Sequence, residues 1–237
     1  MRLKVADFFS GIGGFSLGLE RTGGFKTVSF CEQDLFCQKV LTKHWPDVPI
    51  HDDIIKFTNV DAEVFCGGFP CQPFSTAPRG RITAVDLWPE FARVVWLNRP
   101  TIVIAENVGI KPITQVKNDL ELLGYRCETR CIGAHEAGAD HKRDRWWAIA
   151  HTNHQSKLFS ALDAEMAKLP ELCKGVWGEE NYTRAIRIPN GLPDRMDRLK
   201  CLGNSVIPQI PEAIGHAILA GDLRGKKERG SRPERLG

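Results

Sequence analysis

Apolar residues in the first 150 positions form two patterns that alternate along the chain. Short runs rich in β-branched and aromatic residues predict strands at Lys4–Phe9, Thr27–Cys31, Ala62–Phe65, Thr101–Ala105, Tyr125–Ile132 and Trp146–Ala150. Apolar residues at helical spacing predict helices from Phe15 to Leu19 and at Asp34–His44, Leu87–Leu97, Gln115–Leu123 and Ile210–Leu219. This alternation is typical of βαβ units, so we expect an α/β fold with a mainly parallel sheet and helices on both faces.

Two places interrupt the alternation. Gly67 and Gly68 follow the third strand and are expected to break it. Between residues 151 and 200 the periodicity weakens, charges are mixed and prolines recur, which indicates a small irregular insertion or a long functional loop. After the last predicted helix, residues 222–237 are expected to form a disordered basic tail.

Composition narrows the class of protein. The 237 residues are 42% hydrophobic, which suits a domain with a sizeable core. We find neither an apolar run of membrane-spanning length nor a signal peptide, and the eight cysteines fit reduced thiols, so we expect a cytoplasmic protein. The net charge of the chain is +3. Residues 224–237 have a net charge of +4 and the remainder has −1, so any nucleic-acid surface on the remainder must come from local clustering of basic residues.

The first motif with chemical content is a glycine-rich turn after the first strand, Asp7–Phe15. It matches neither the dinucleotide pattern Gly-x-Gly-x-x-Gly nor a phosphate loop, so it favours a nucleotide-like ligand without a triphosphate. Glu32 ends the second strand, where a carboxylate can bind ribose hydroxyls. A plain glycine turn with no ligand is the alternative interpretation.

Two further stretches hold candidate catalytic groups. Cys71 lies between Pro70 and Pro73, on a stiff loop that suits a nucleophile, although a chance loop cysteine has the same pattern. Glu106 follows a very apolar strand, where burial could raise its pKa and make it a proton donor. An ordinary solvated loop acid is the alternative for Glu106.

Arg143 and Arg145 alternate before an aromatic strand, so both guanidinium groups are expected on one face, facing a polar or anionic substrate. A surface ion pair would give the same pattern. Asn204 and Ser205 precede the last helix, where capping of that helix is the simpler interpretation.

Taken together and in this order, these stretches resemble the motifs of the DNA (cytosine-5) methyltransferase family, over about residues 1–150 and 190–220. The matching stretches are Asp7–Phe15, Gly68–Gln72, Glu106–Val108, His141–Arg145 and Gly203–Pro208. His141 stands where the family usually has Gln. The resemblance implies a Rossmann-like methyltransferase fold in a compact phage-like or bacterial member. It places the catalytic and cofactor-binding domain at 1–150, a small target-recognition insertion at 151–190, and a return to the main domain at 191–221.

The resemblance also implies roles for individual residues. S-adenosylmethionine would be the methyl donor, with S-adenosylhomocysteine as product, and double-stranded DNA the substrate, with no membrane and no obligatory protein partner. Cys71 would be the nucleophile, Glu106 the partner of the cytosine N3 atom, and Arg145 the group at O2, with Arg143 orienting them. The cofactor would contact Phe9, Ser10, Gly11, Gly13, Gly14, Glu32, Gln33, Asp53, Ile54, Gly68, Pro70, Leu87, Asn204, Ser205 and Val206. DNA would contact Ser75, Arg79, Arg81, Arg184 and Arg187.

One departure from the family is the size of the recognition region, since only 57 residues separate Arg145 from Gly203. A short recognition sequence or weak specificity is therefore expected. Methylation of transfer RNA and a catalytically idle binding protein are the alternatives. A zinc site at Cys127, Cys131 and His135 is disfavoured by its unusual spacing, and no metal is predicted.

Overall fold

The computed structural model describes residues 1–70, 86–138, 142–154, 156–172 and 205–221. Its strands are β1 Leu3–Phe8, β2 Phe25–Cys31, β3 Ile50–His51, β4 Val64–Gly68, β5 Ile102–Asn107, β6 Arg126–Ile132 and β7 Arg145–His151. Its helices are α1 Gly14–Arg21, α2 Leu35–His44, α3 Trp88–Asn98, α4 Ile110–Leu122, α5 Leu158–Met166, α6 Leu169–Leu172 and α7 Gln209–Ala220, with a 3₁₀ turn at Ala134–Ala137. None of the helices so described is long and apolar enough to cross a membrane.

The strands form one sheet in the order β3-β2-β1-β4-β5-β7-β6. Strands β1 to β5 pair in parallel, whereas β7 is antiparallel to both β5 and β6. The expected α/β fold with a mainly parallel sheet is therefore confirmed. The carboxyl ends of β1, β2, β4 and β5 meet at one edge, which is where such sheets bind ligands.

Both faces of the sheet are buried, because successive strand residues point to opposite sides. Val5, Val64 and Ile102 point to a core that includes side chains of α1, α5 and α7. Their neighbours Ala6, Phe65 and Val103 point to a second core, formed with α3 and α4. The two cores together lock the register of the central strands, since a shift by one residue would exchange the faces.

Strand β4 does not break at its glycines, so that prediction was wrong. Gly67 and Gly68 pair with Ala105 and Glu106 and extend the strand to residue 68. A Cβ on Gly67 would lie 2.6 Å from the Phe8 carbonyl oxygen. Glycine here therefore permits close approach of neighbouring groups rather than ending the strand.

Helix α4 begins at Ile110, earlier than predicted, because Pro112 is accommodated in the first turn. The amide hydrogen that proline lacks has no partner at that position of a helix in any case.

Part of the segment assigned to the irregular insertion is helical. Leu158, Leu162 and Leu169 are buried in the same core as helix α7. These residues therefore pack with the main domain, and residues 173–204 lie outside the described part of the chain. A recognition insertion remains a prediction for that later stretch.

Candidate active site

The glycine-rich turn leaves the end of β1 in an unusual backbone conformation. Phe9, Gly11 and Gly13 have positive φ angles of 53°, 54° and 87°. Positive φ is uncommon for a bulky residue such as Phe9, and backbone strain of this kind concentrates at functional sites. The space where a Gly11 side chain would point is open, with no atom of the described structure within 4 Å. A ligand could therefore approach the backbone of this turn closely.

Ser10 faces inward from the same turn. Its hydroxyl is buried and donates to the Asp7 carbonyl oxygen at 2.6 Å. Ser10 therefore stabilises the turn by joining the ends of β1 and β2, since its hydroxyl also lies 3.3 Å from the Cys31 carbonyl oxygen.

Glu32 at the end of β2 accepts hydrogen bonds from two backbone amides. Its carboxylate lies 2.7 Å from the Gly11 nitrogen and 2.8 Å from the Asp34 nitrogen. A carboxylate has about four acceptor positions, so lone pairs remain for two adjacent hydroxyl groups. The observed contacts bring Glu32 to the glycine turn, as a ribose-binding carboxylate requires.

Asp7 stabilises the glycine-rich turn from its buried side, a role that the sequence analysis did not assign to it. Its buried carboxyl group accepts from the Ser16 hydroxyl at 2.7 Å, which ties β1 to α1. Burial raises the pKa of Asp7 to about 8. A buried carboxyl after the first strand is difficult to distinguish from a solvated one by sequence alone.

The segment that precedes α7 closes the glycine turn on its other side. A Cβ on Gly14 would lie 2.7 Å from the Val206 carbonyl oxygen and 3.2 Å from the Ser205 hydroxyl oxygen. The N-cap of α7 is Pro208, with no side-chain capping bond, so Ser205 does not cap the helix. Asn204 lies outside the described residues.

Asp53 and Ile54 follow β3 and lie on the same edge of the sheet as Glu32, whose nitrogen donates to the His51 carbonyl at 2.8 Å. Asp53 accepts from the Ile55 nitrogen at 2.9 Å, and the Ile54 side chain is buried. Gln33 is exposed.

The second half of the site is a buried ion pair at the ends of β4, β5 and β7. The Glu106 carboxylate lies 3.0 Å from Nε of Arg145, and their side chains are 12% and 20% exposed. Gly68 packs against this carboxylate, since a Cβ on Gly68 would be 2.9 Å from Oε2 of Glu106. Glu106 is therefore not an ordinary solvated loop acid, and it is paired with Trp147 within the sheet.

Burial and charge act on Glu106 in opposite directions. Burial raises the pKa of Glu106, whereas the positive charges of Arg145 and Arg143 lower it. The balance leaves the pKa of Glu106 at about 7. Strand β7 begins at Arg145, so Arg143 lies just before the strand rather than on it. Its charge nevertheless acts on Glu106, and burial lowers the pKa of Arg143 itself.

Two hydrogen bonds fix the positions of the residues on either side of the stretch 71–85. The Leu87 nitrogen donates to the Pro70 carbonyl at 3.2 Å. The buried Asn107 side chain donates to the Phe69 carbonyl at 3.0 Å. Asn107 thus holds Phe69, two residues before the candidate nucleophile Cys71, beside Glu106, a function that sequence reasoning did not assign. Several predicted site residues lie outside the described part of the chain: Cys71, Ser75, Arg79, Arg81, Arg184 and Arg187.

The donor groups fit a nucleoside with a small polar tail better than a metal. Within the described residues no group of three His, Cys, Asp or Glu side chains could hold an ion. Cys127 and Cys131 both lie on strand β6, and residues four apart on a strand are separated by about 13 Å, too far to share one ion.

Comparisons with known proteins agree with the motifs. The model of the C-5 cytosine-specific DNA methylase family matches residues 3–186. Type II methyltransferase M.HgiBI of Herpetosiphon aurantiacus is 33% identical over 194 residues, which cover 68% of this chain and 43% of that protein. Type II methyltransferase M2.BsuMI of Bacillus subtilis is 32% identical over 238 residues, which cover 90% of this chain and 59% of that protein. The chain thus spans about half the length of these relatives.

A solved structure shares the fold along most of the chain. A protein assigned as a DNA modification methyltransferase encoded within an E. coli prophage superposes with a TM-score of 0.65 at 17% identity, covering 92% of this chain and 99% of that one. At this identity the likeness shows the fold alone, which is that of a methyltransferase. The family model, by contrast, matches residues 3–186, which is most of the chain. The chain belongs to the family of C-5 cytosine-specific DNA methylases.

Proposed function

We propose that the chain transfers a methyl group from S-adenosylmethionine to carbon 5 of a cytosine in DNA. The observation that carries the proposal is the buried Glu106–Arg145 pair beside Gly68. A carboxyl group whose pKa is about 7 can exchange a proton with a pyrimidine nitrogen at neutral pH. Family membership supports the choice of substrate and cofactor.

The glycine turn and Glu32 are the residues that would hold the cofactor. The open space at Gly11 and the two amides that orient the Glu32 carboxylate fit a ribose with two free hydroxyl groups. Val206 and Ser205 would enclose it from the side of α7. When bound, S-adenosylmethionine supplies an electrophilic methyl group on a sulfonium centre.

The protein's part in the reaction is to make carbon 5 of cytosine nucleophilic. The Cys71 thiolate adds to carbon 6, forming an S–C bond, and the ring electrons move towards carbon 5. Glu106 donates or shares its proton at N3, which neutralises the charge that develops on the ring. Arg145 donates to O2. After carbon 5 has taken the methyl group, a base removes the carbon-5 proton and the S–C bond breaks to release the Cys71 thiolate. Glu106 takes back the N3 proton, which restores the aromatic ring and the enzyme.

The same chemistry requires access to the face of the base. Carbon 6 cannot be reached within a stacked duplex, so the cytosine must be flipped out of the helix. We propose that residues 75–86 close over it and that Arg79 and Arg81 contact phosphates. Residues 173–190, with Arg184 and Arg187, would read the sequence around the target.

Transfer of labelled methyl groups tests the proposal directly. Unmodified DNA and transfer RNA are incubated in parallel with the protein and labelled S-adenosylmethionine, and bisulfite sequencing then locates 5-methylcytosine. We expect label on cytosine carbon 5 of DNA. Label on transfer RNA alone would assign the chain to RNA methylation, and binding of cofactor without transfer to either would make it an idle relative.

The covalent step needs its own test. DNA that carries 5-fluorocytosine cannot lose the carbon-5 substituent as a proton, so a stable protein–DNA adduct should accumulate. Cys71→Ser should abolish both the adduct and methyl transfer while cofactor binding persists. Cys131→Ser is the matched control, because Cys131 is exposed on edge strand β6. An adduct that persists in Cys71→Ser would remove Cys71 from this role.

A further inference from the structure

The loop between β3 and β4 carries Asp53 and Ile54 but has little structure of its own. The local backbone hydrogen bonds described for it run from Phe57 to the Ile54 carbonyl at 3.2 Å and from Ala62 to the Val60 carbonyl at 3.1 Å. A loop with so few internal bonds depends on neighbouring elements for its conformation. Helix α3 supplies bonds to residues 54–60, and Lys4 of β1 binds Asp61 and Glu63 at the end of the loop.

Arg93, in the middle of α3, donates to successive carbonyl groups of this loop. Its Nη2 atom lies 2.8 Å from the Ile54 oxygen and 3.1 Å from the Ile55 oxygen, and its Nη1 atom lies 3.1 Å from the Phe57 oxygen. Its Nε atom donates to Glu90, one turn earlier on the same helix, at 2.7 Å. The guanidinium group is therefore held from the helix side and binds the loop with its outer edge.

Arginine is the side chain suited to this arrangement. Its planar group presents five N–H donors in a fixed fork, whereas a lysine ammonium offers three donors from a single atom. Lysine at this position could not bind Glu90 and reach the same set of carbonyls at once. The Ile55 oxygen would then lose the donor described for it, and the Ile54 oxygen would keep only the Phe57 amide.

Contacts of Asn98 with the loop limit the expected effect of losing Arg93 to the first part of the loop. Asn98 accepts from the Val60 nitrogen at 2.9 Å and donates to the Thr58 carbonyl at 2.8 Å. The later half of the loop is thus anchored without Arg93. Loss of Arg93 is expected to free residues 54–57 while leaving the rest of the connection and the core in place.

We propose that Arg93 is a positioning residue for the cofactor: by binding the carbonyls of Ile54, Ile55 and Phe57, it holds Asp53 and Ile54, which the family resemblance assigns to the cofactor, in the position that binds it. This inference rests on the proposed function, since it takes S-adenosylmethionine as the ligand at this edge of the sheet. Arg93 contacts the loop and not the cofactor, so its effect is on cofactor affinity and not on the methyl-transfer step.

The test compares Arg93→Lys with Arg99→Lys. Arg99 lies at the end of the same helix and also donates to a backbone carbonyl, that of Leu123 at 2.8 Å, but it has no described contact with the loop. Calorimetry gives the Kd for S-adenosylmethionine, and steady-state kinetics give KM and kcat. Arg93→Lys should raise Kd and KM for the cofactor about 10-fold, as expected for loss of charge-assisted hydrogen bonds, and leave kcat at saturating cofactor within about 2-fold. Arg99→Lys should leave all three unchanged.

Hydrogen exchange supplies a readout that does not depend on activity. Amides of residues 55–57 should exchange faster in Arg93→Lys than in the Arg99→Lys control, with core strands unaffected. A cofactor Kd in Arg93→Lys equal to that of the unsubstituted protein would overturn the inference and leave the proposed function intact. Failure of the unsubstituted protein to bind S-adenosylmethionine would overturn both.

Discussion

At the scale of single residues, the site depends on a carboxyl group that is neither fully buried nor freely solvated. Desolvation disfavours the charged form of Glu106, and the Arg145 cation 3.0 Å away favours it. Because desolvation is the larger effect, the pKa rises to about 7 and both protonation states are populated near neutrality. Near neutral pH, a carboxyl group buried to this depth without a cation would stay protonated, and a solvated carboxyl group would stay charged.

This balance predicts how the pKa of Glu106 responds to substitution. Arg145→Gln removes the cation that lowers the pKa, so the carboxyl should titrate above 7, whereas Arg145→Lys keeps a charge and should shift it less. NMR of ¹³C-labelled glutamate, with Glu106→Gln to assign the signal, measures both. Titration near 4.5 in the unsubstituted protein, or no shift in Arg145→Gln, would contradict the balance described here.

The same shift has a consequence for stability. The folded pKa lies above the unfolded value of 4.5, so the folded state binds more protons between pH 4.5 and about 7. The contribution of Glu106 to the free energy of unfolding is therefore fully present below pH 4.5, and it declines as the pH rises from 4.5 to about 7. Denaturant unfolding should show a flatter pH dependence for Glu106→Gln than for the unsubstituted protein.

At the scale of elements, small residues on α1 determine how closely α7 approaches the cofactor edge. A Cβ on Gly18 would overlap the Pro208 carbonyl oxygen and lie 2.9 Å from the Cβ of Pro211. The obstacles include backbone atoms, which cannot rotate away as a flexible side chain can. Since the chain before α7 carries Ser205 and Val206 to Gly14, the α1–α7 contact also sets the geometry of the glycine turn at which we propose that the cofactor binds.

Gly18→Ala should therefore affect both stability and cofactor binding. Overpacking against backbone is expected to cost about 1–3 kcal/mol of unfolding free energy. Displacement of residues 205–206 should also weaken binding of S-adenosylmethionine at temperatures where the variant is fully folded. Denaturant unfolding and calorimetry measure the two effects, and Leu17→Ala on the exposed side of α1 is the control. Unchanged values for both would show that α7 can move aside freely.

Most elements of this fold could be predicted from hydrophobic pattern alone, because its buried strands and amphipathic helices leave strong periodic signals. The departures have physical reasons. Gly67 and Gly68 looked like a strand end, yet the close approach of Phe8 and Glu106 requires residues without a Cβ within the strand. Helix α5 was missed because it follows a turn and carries no capping side chain.

The candidate site divides in the same way. Glu32 and Glu106 could be proposed because each stands at the carboxyl end of a parallel strand, where such sheets gather functional groups. Arg145 could be proposed because it alternates with Arg143 just before an aromatic strand. Arg93 and Asn107 could not, because they act by binding carbonyl groups distant in the sequence, 36 to 39 residues away for Arg93 and 38 for Asn107. Nothing in the local pattern distinguishes such a side chain from a solvated one.

At the scale of the whole molecule, charge is distributed unevenly along the chain. Residues 224–237 hold six Lys or Arg and two Asp or Glu, so the remainder of the chain has a net charge of −1 against +3 for the whole. Proteins that bind DNA through phosphate contacts release condensed cations, so their affinity falls with salt concentration. Under the proposed function, the nearly neutral main part would rely on local basic clusters for specific contacts with DNA, and the tail would add attraction that does not depend on the DNA sequence.

Removal of residues 224–237 should separate these two contributions. We expect weaker binding to DNA of unrelated sequence and a shallower dependence of log K on log salt, by roughly 0.9 for each phosphate that the protein no longer neutralises. The Kd for S-adenosylmethionine and the set of methylated cytosines should not change, because the residues assigned to those functions precede the tail. A variant with the tail residues in scrambled order keeps the charge and should behave as the full chain does. Altered methylation sites in the truncated protein, with the scrambled variant unaffected, would show instead that the tail's charge contributes to target selection, and sites altered in both would assign that contribution to its sequence.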